Sequence, residues 1–325
     1  MKIASYIGLL VGLVVLTALI AWSGAKEIGS LLLASGWSLL WVPVIWLPSL
    51  PMNARCWQLL FDRRFAPTFW RAFYAQWMGR AVNTLLPVAS IGGEVAKTRA
   101  LILWGTDVHH ASAAAVVDKT VEVITIILWG LAGIVLLALM ALDNTLAMAS
   151  LLGLAALGAG VVGFLFVQRA GMFGVLVRLA YRLTKSEAVA RLLTMAEEVD
   201  RVILDLYRQR GQVAAATAWR LAALVVQSGE VWLAASLLGH PIGILEAVML
   251  KSLSNTVSDA AFVIPNSYGI QEGALIVLGG LVGLTPDVAL AISLAIRIRE
   301  IIIDVPGLIC WQIVEGRAFF RRRRA

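Results

Sequence analysis

Charge is the scarcest commodity in this chain: Asp, Glu, Lys and Arg make up 14% of its 325 residues, while 60% are hydrophobic. Soluble domains carry about 25% charged residues, so the composition excludes an ordinary water-soluble fold and indicates a membrane class. Cysteine is almost absent. Cys56 and Cys310 lie far apart without metal or redox spacing, so no disulfide is expected and both thiols are read as inert. Histidine is nearly as rare, and His109-His110 has no further ligands nearby in sequence, so no metal site is expected. Also lacking are a Gly-rich nucleotide loop, an Asp-rich isoprenyl-diphosphate motif and a serine beside a plausible histidine. No catalytic residue and no cofactor is therefore expected. The formal charge of +7 raises the possibility of nucleic acid. The basic residues, however, sit between apolar segments and in the tail Arg321 to Arg324, the pattern of orientation charge and of attraction to anionic lipid at a basic cytoplasmic face.

What is present is long apolar runs. They cover 3–23, 30–51, 113–141, 145–167, 213–238 and 287–316, each near or above the about 20 residues that span a bilayer. The first is read as a retained span rather than a signal peptide. Two further stretches, 68–104 and 245–283, are interrupted around Pro87 with Gly92 and Gly93, and around Pro265 with Gly269. Proline removes a backbone donor and glycine frees the dihedrals, so helices break there. Such breaks are tolerated at membrane depth only when buried in protein or lining a cavity. The expected fold is all-α: a polytopic membrane helix bundle of about six full spans plus two broken, re-entrant helical hairpins. It forms one domain over 1–325, with a first repeat core at 68–141, a cytoplasmic amphipathic linker at 168–212 and a second core at 245–316. In the linker Val189, Leu192, Leu193, Ala196, Val199, Ile203 and Leu206 recur at helical spacing.

Counting Lys and Arg puts Arg55, Arg63, Arg64, Arg71, the linker cations, Arg317 and the Arg tail on one side, with Lys26 opposite. The basic side is cytoplasmic, so the chain is expected in the cell inner membrane with both termini cytoplasmic.

The interrupted stretches align without a gap. Pro87 and Pro265 are 178 positions apart, and the same offset relates Glu94 to Glu272, Lys119 to Arg297 and Glu122 to Glu300. In this topology the hairpins enter from opposite sides, which makes them an inverted repeat, with a binding site expected where the repeats meet. Intramembrane charge costs several kcal/mol unless paired or hydrated. Glu94 and Glu272 follow the breaks, near positive helix N-termini. Lys119 and Arg297 stand one turn before Glu122 and Glu300. These six residues are the expected head-group contacts, with Asn83, Ser90, Ser267 and Tyr268 lining the path. Asn255 could join them, and Arg299, Asp304 and Asp118 could extend the polar stripe. The competing reading is structural: Glu94 with Lys119, and Glu272 with Arg297, as buried pairs that lock the repeats, with the polar residues satisfying freed backbone groups.

The stretch Trp77-Met78-Gly79-Arg80-Ala81-Val82-Asn83-Thr84-Leu85-Leu86-Pro87, followed by Ile91-Gly92-Gly93-Glu94-Val95, resembles the lysylphosphatidylglycerol synthase transmembrane superfamily. Within it the chain looks most like the hopanoid-cluster membrane proteins called HpnL. Ile264-Pro265 through Gly273, and Arg297-Ile298-Arg299-Glu300 through Pro306-Gly307, carry the same resemblance. It implies a flippase-like domain that moves a phospholipid or hopanoid-type lipid between leaflets. Two-part members add a soluble aminoacyltransferase; none follows here, so synthase activity is not expected. The expected function is thus lipid translocation by a non-enzyme, alone, as a homo-oligomer or beside lipid-biosynthesis enzymes. The alternatives are a non-catalytic accessory subunit of lipid or hopanoid biosynthesis and an intramembrane lipid-modifying enzyme.

Overall fold

The computed structural model describes residues 25–62, 64–86, 92–140, 209–260 and 267–324, together with Thr17. The expected span at 145–167, nearly all of those at 3–23 and 168–212, and Pro87, Ser90 and Pro265 lie outside the described residues. Those described are helical and contain no strand. In chain order they are α1 (Ala25–Ser35), a 3-10 turn (Gly36–Leu40), α2 (Trp41–Trp46), α3 (Ser49–Leu59), α4 (Phe69–Leu85) and α5 (Gly92–Leu103). Then come α6 (Val108–Met140), α7 (Arg210–Leu237), α8 (Ile244–Ala260), α9 (Ile270–Gly280) and α10 (Pro286–Arg324).

The apolar run read as one span at 30–51 is a chain of short helices. Pro43, Pro48 and Pro51 withdraw amide donors, and Gly36 takes a left-handed φ of 50°, so no continuous α-helix forms. The stretch Gly29–Leu59 is nonetheless long and apolar enough to cross a membrane, and so is α6. α7 and α10 are also long, but charged residues interrupt their apolar character.

Each hairpin forms around its break. α4 stops at Leu85 because Leu86 precedes a proline and adopts the extended backbone that position imposes (φ −113°, ψ 145°). α5 restarts at Gly92 and packs back against α4. The approach is close enough that a Cβ on Gly79 would sit 2.7 Å from the Gly93 carbonyl oxygen, which explains glycine at both positions. In the second hairpin α8 ends at Ala260, Gly269 (φ 80°) opens α9, and the two helices pack together.

Helix starts obey the offset seen in sequence: α5 and α9 begin at 92 and 270, α6 and α10 at 108 and 286. The packing is reciprocal. α4, of the first hairpin, lies against α10, while α8, of the second, lies against α6. Small residues permit both crossings: Gly307 meets Ala81 and Trp77, and Gly133 meets Ser252. α7 joins the halves by packing against α3, α6, α8 and α10.

The distribution of polarity inverts that of a soluble domain. Leu33, Trp37, Leu139 and Val277 are among many large apolar side chains that are exposed, whereas Lys97, Asp118, Arg220, Glu230, Lys251, Glu272, Arg297, Arg299, Glu300 and Asp304 are buried. Such charges are almost never buried without partners.

Candidate functional site

The buried charges form two chains of alternating sign, one in each half. The first runs Glu94, Lys97, Asp118, Arg220, Glu122, Lys119. Lys97 Nζ lies 2.7 Å from Glu94 Oε2 and 2.5 Å from Asp118 Oδ2. Arg220 donates to Asp118 at 2.6 Å and to Glu122 at 3.1 Å, and Lys119 closes on Glu122 at 2.6 Å. Lys97 also sits over the Trp57 ring.

The second chain runs Glu272, Arg297, Glu300, Arg299, Glu230, Lys251. Arg297 donates to Glu272 and to Glu300, each at 2.9 Å. Arg299 approaches Glu300 at 3.8 Å and donates to Glu230 at 2.8 Å, while Lys251 reaches Glu230 at 2.7 Å. Both chains have equal numbers of acids and bases, as low-dielectric burial demands. A single helix feeds both: Arg220 and Glu230 stand ten positions apart on α7, about 15 Å at 1.5 Å per residue.

The chains differ in what surrounds them. In the second half, Glu272 accepts the Gly269 amide at 2.7 Å with one oxygen and Arg297 with the other, so it caps α9 and is fully used. In the first half, Asn83 accepts the Gly93 amide at 2.7 Å and thereby caps α5. Glu94 is released from that duty, and it faces a cavity.

This cavity, of about 330 Å³, is lined by α3, α4, α5, α6, α7 and α8. Glu94, Lys97, Glu122, Arg220, Arg80 and Asp259 supply charge to its wall. Between them stand Asn53, Gln76, Asn83, Gln227 and Asn255, with Thr84 and Thr125. Arg80 is anchored from outside by Asp304 at 3.1 Å and packs on Trp46, which Arg299 flanks as well. Glu94 also borders a second hollow of about 440 Å³ between α5 and α6. That groove is lined largely by Val95, Ile102, Leu103 and Ala115, with Thr98, Arg99 and Ser112, and Arg99 pairs with Glu315 of α10.

Of the residues expected at the site, Glu94, Glu122 and Asn83 line the cavity, as does Asn255. Lys119 joins it indirectly through Glu122; its expected pairing with Glu94 is not made, because Lys97 occupies the place beside that carboxylate. Arg297 pairs with both Glu272 and Glu300. Ser267 donates to the Ser258 carbonyl at 2.6 Å and Tyr268 stacks under Arg297, so both support the second break. Ser90 lies outside the described residues. Lys97, Arg220, Arg80, Gln76, Gln227 and Asp259 were missing from the expected site. Arg220, Glu230, Lys251 and Asp259 are charges inside apolar segments, and that alone marks them for attention.

No curated protein and no solved structure matches the chain. Residues 9–306 match the family described as the lysylphosphatidylglycerol synthase TM region. With nearly the whole chain covered, and apolar helices wrapped around internal charge, the protein belongs to this membrane family of lipid-related function.

Proposed function

We propose that this protein translocates a membrane lipid, carrying its head group through the polar cavity while its chains stay in the apolar phase. The observation that carries the reading is the junction at Glu94. This one carboxylate borders both the cavity and the apolar α5–α6 groove, so a lipid can place its head in one and a chain along the other. Moving a bare head group across hydrocarbon is costly for the same reason that unsatisfied polar groups are. A cavity lined with amides, hydroxyls and paired charges replaces its water.

On this reading the bundle is polytopic and sits in the cell inner membrane with both termini cytoplasmic. The bias of Lys and Arg toward one side supports that orientation. The two hairpins are the halves of an inverted repeat, a reading supported by the shared offset and by the reciprocal packing of α4 on α10 and α8 on α6. The cargo is a phospholipid or hopanoid-type lipid whose bonds are left unchanged.

The test is leaflet-to-leaflet movement of fluorescent phospholipids in proteoliposomes, read by quenching of the outer leaflet. Wild type is expected to expose inner-leaflet label faster than protein-free vesicles, and Glu94→Gln to lose that acceleration while remaining folded. Wild-type vesicles that match protein-free ones, with insertion verified, would contradict the proposal.

A further inference from the structure

We propose that the cavity is built for a hydroxyl-rich head group, a polyol or glycosyl unit, in preference to a bare phosphate or an ammonium. The inference rests on the translocator reading and concerns the same site.

The cations of the wall are already engaged. Lys97 lies between Glu94 and Asp118, Arg220 lies between Asp118 and Glu122, and Arg80 is held by Asp304. A phosphate would have to compete with carboxylates for Lys97 and Arg220, and for Arg80, whose Nε is held by Asp304, only the terminal amino groups remain. What remains open is different in kind. The side chains of Gln76, Gln227 and Asn255 make no hydrogen bond to any described residue, and Gln76 Oε1 is buried without a partner. Asp259 forms no ion pair among the described residues.

Each carboxamide brings two donors and a two-lone-pair acceptor, while a carboxylate only accepts. A hydroxyl donates once and accepts twice, so neighbouring hydroxyls can serve amide N–H, amide C=O and carboxylate together. An ammonium only donates and leaves the amide N–H groups unmet. A phosphate only accepts and sets its charge against Asp259 and Gln76 Oε1. The cavity volume, about 330 Å³, is at the small end of the about 300–1,000 Å³ typical of ligand pockets, suited to a single sugar or polyol unit.

Three probes with one octyl chain isolate the head group: octyl glucoside below its micellar concentration, octyl phosphate and octylammonium. The full chain in phosphatidylcholine nanodiscs is titrated with each, and binding is followed by intrinsic tryptophan fluorescence. Octyl glucoside is expected to bind at least about tenfold more tightly than the other two, a difference worth roughly 1.4 kcal/mol. Asn255→Ala and Gln227→Ala, each checked for an unchanged unfolding midpoint, are expected to remove most of that preference. Equal or tighter binding of octyl phosphate or octylammonium overturns the inference, as does octyl glucoside binding that neither variant weakens, or no binding by any probe. Lipid movement in proteoliposomes with a phosphate-selective cavity sinks only this inference. Selective glucoside binding without any lipid movement sinks the translocator reading instead.

Discussion

The two charge chains have the same length, the same alternation and the same net charge, yet only one is open. In the second, no side chain is more than 11% exposed. In the first, Lys97, Asp118 and Arg220 are equally sealed, but Glu94 is 18%, Glu122 29% and Lys119 38% exposed. Two stretches with matching charges have thus been put to two uses. One half keeps its glutamate on the helix N-terminus and closes into a lock. The other hands that task to Asn83 and turns its glutamate to a cavity. The difference teaches that a matched intramembrane charge is not by itself a binding group; what its neighbours leave unsatisfied decides.

The largest expected effect is on the lock. Glu230→Gln leaves Lys251 and Arg299 facing each other without their shared carboxylate, and removing one partner from buried pairs costs about 3–5 kcal/mol. Thermal unfolding in detergent is expected to show a large drop in midpoint, well beyond that of Glu94→Gln. Similar midpoints for the two variants would erase the distinction between the halves. Lys97→Met should combine both behaviours, because it removes the cation between two carboxylates and leaves Glu94 without a partner while Asp118 keeps only Arg220. Its midpoint is expected to fall and its lipid movement to vanish; normal movement by folded Lys97→Met protein would remove the first chain from the site.

The hairpins can be compared through their glycines. A Cβ on Gly93 would collide with the Gly79 carbonyl and lie 2.5 Å from Asn83 Cγ, while nothing lies within 4 Å of one on Gly273. Gly93→Ala is expected to destabilise by about 1–3 kcal/mol, and Gly273→Ala to be neutral or to stabilise by up to about 1 kcal/mol through helix propensity. Denaturant titration of both distinguishes a glycine in a close helix crossing from one that faces open space; equal effects would refute that contrast.

The smallest effect concerns the start of the long helices. Asp107 accepts the His109 and His110 amides at 2.9 and 3.2 Å and caps α6, whereas Thr285 precedes α10 at the matching place. The His110 amide, and then that of His109, hold the Asp107 carboxyl below its ordinary 3.8. A lowered value means the cap contributes fully above about pH 3.8 and is lost as pH falls through the depressed value. Hydrogen exchange at His109 and His110 is expected to accelerate in acid with no matching change at Asp287 and Val288. Parallel acceleration in both helices would show that the cap is not its cause.

The architecture was legible wherever the pattern was local. Helix breaks announce themselves through Pro87 and Gly92, and the repeat offset seen in Glu94 and Glu272 predicts the register of α5, α6, α9 and α10. Part of the cavity wall was legible for the same reason: Glu94, Glu122, Asn83 and Asn255 lie on the hairpins or just after them. The rest depended on tertiary neighbours. Arg220 and Gln227 come from α7, which has no counterpart in the alignment, and only packing brings Arg220 beside Asp118. Nothing local shows that Lys97 displaces Lys119 from Glu94. The lock of Arg297 and Glu272 and the open site at Glu94 have one signature in sequence, and the asymmetry arises from Asn83 reaching across its hairpin to Gly93.

The central claim is that the first-half carboxylate works on lipid while its second-half counterpart holds the fold. Measuring lipid movement per folded molecule and unfolding midpoint side by side for Glu94→Gln and Glu272→Gln tests it most directly. The account predicts near-wild-type stability with lost movement for Glu94→Gln, and a lowered midpoint with movement retained in the folded fraction for Glu272→Gln. Movement that survives Glu94→Gln and disappears from fully folded Glu272→Gln protein would contradict it.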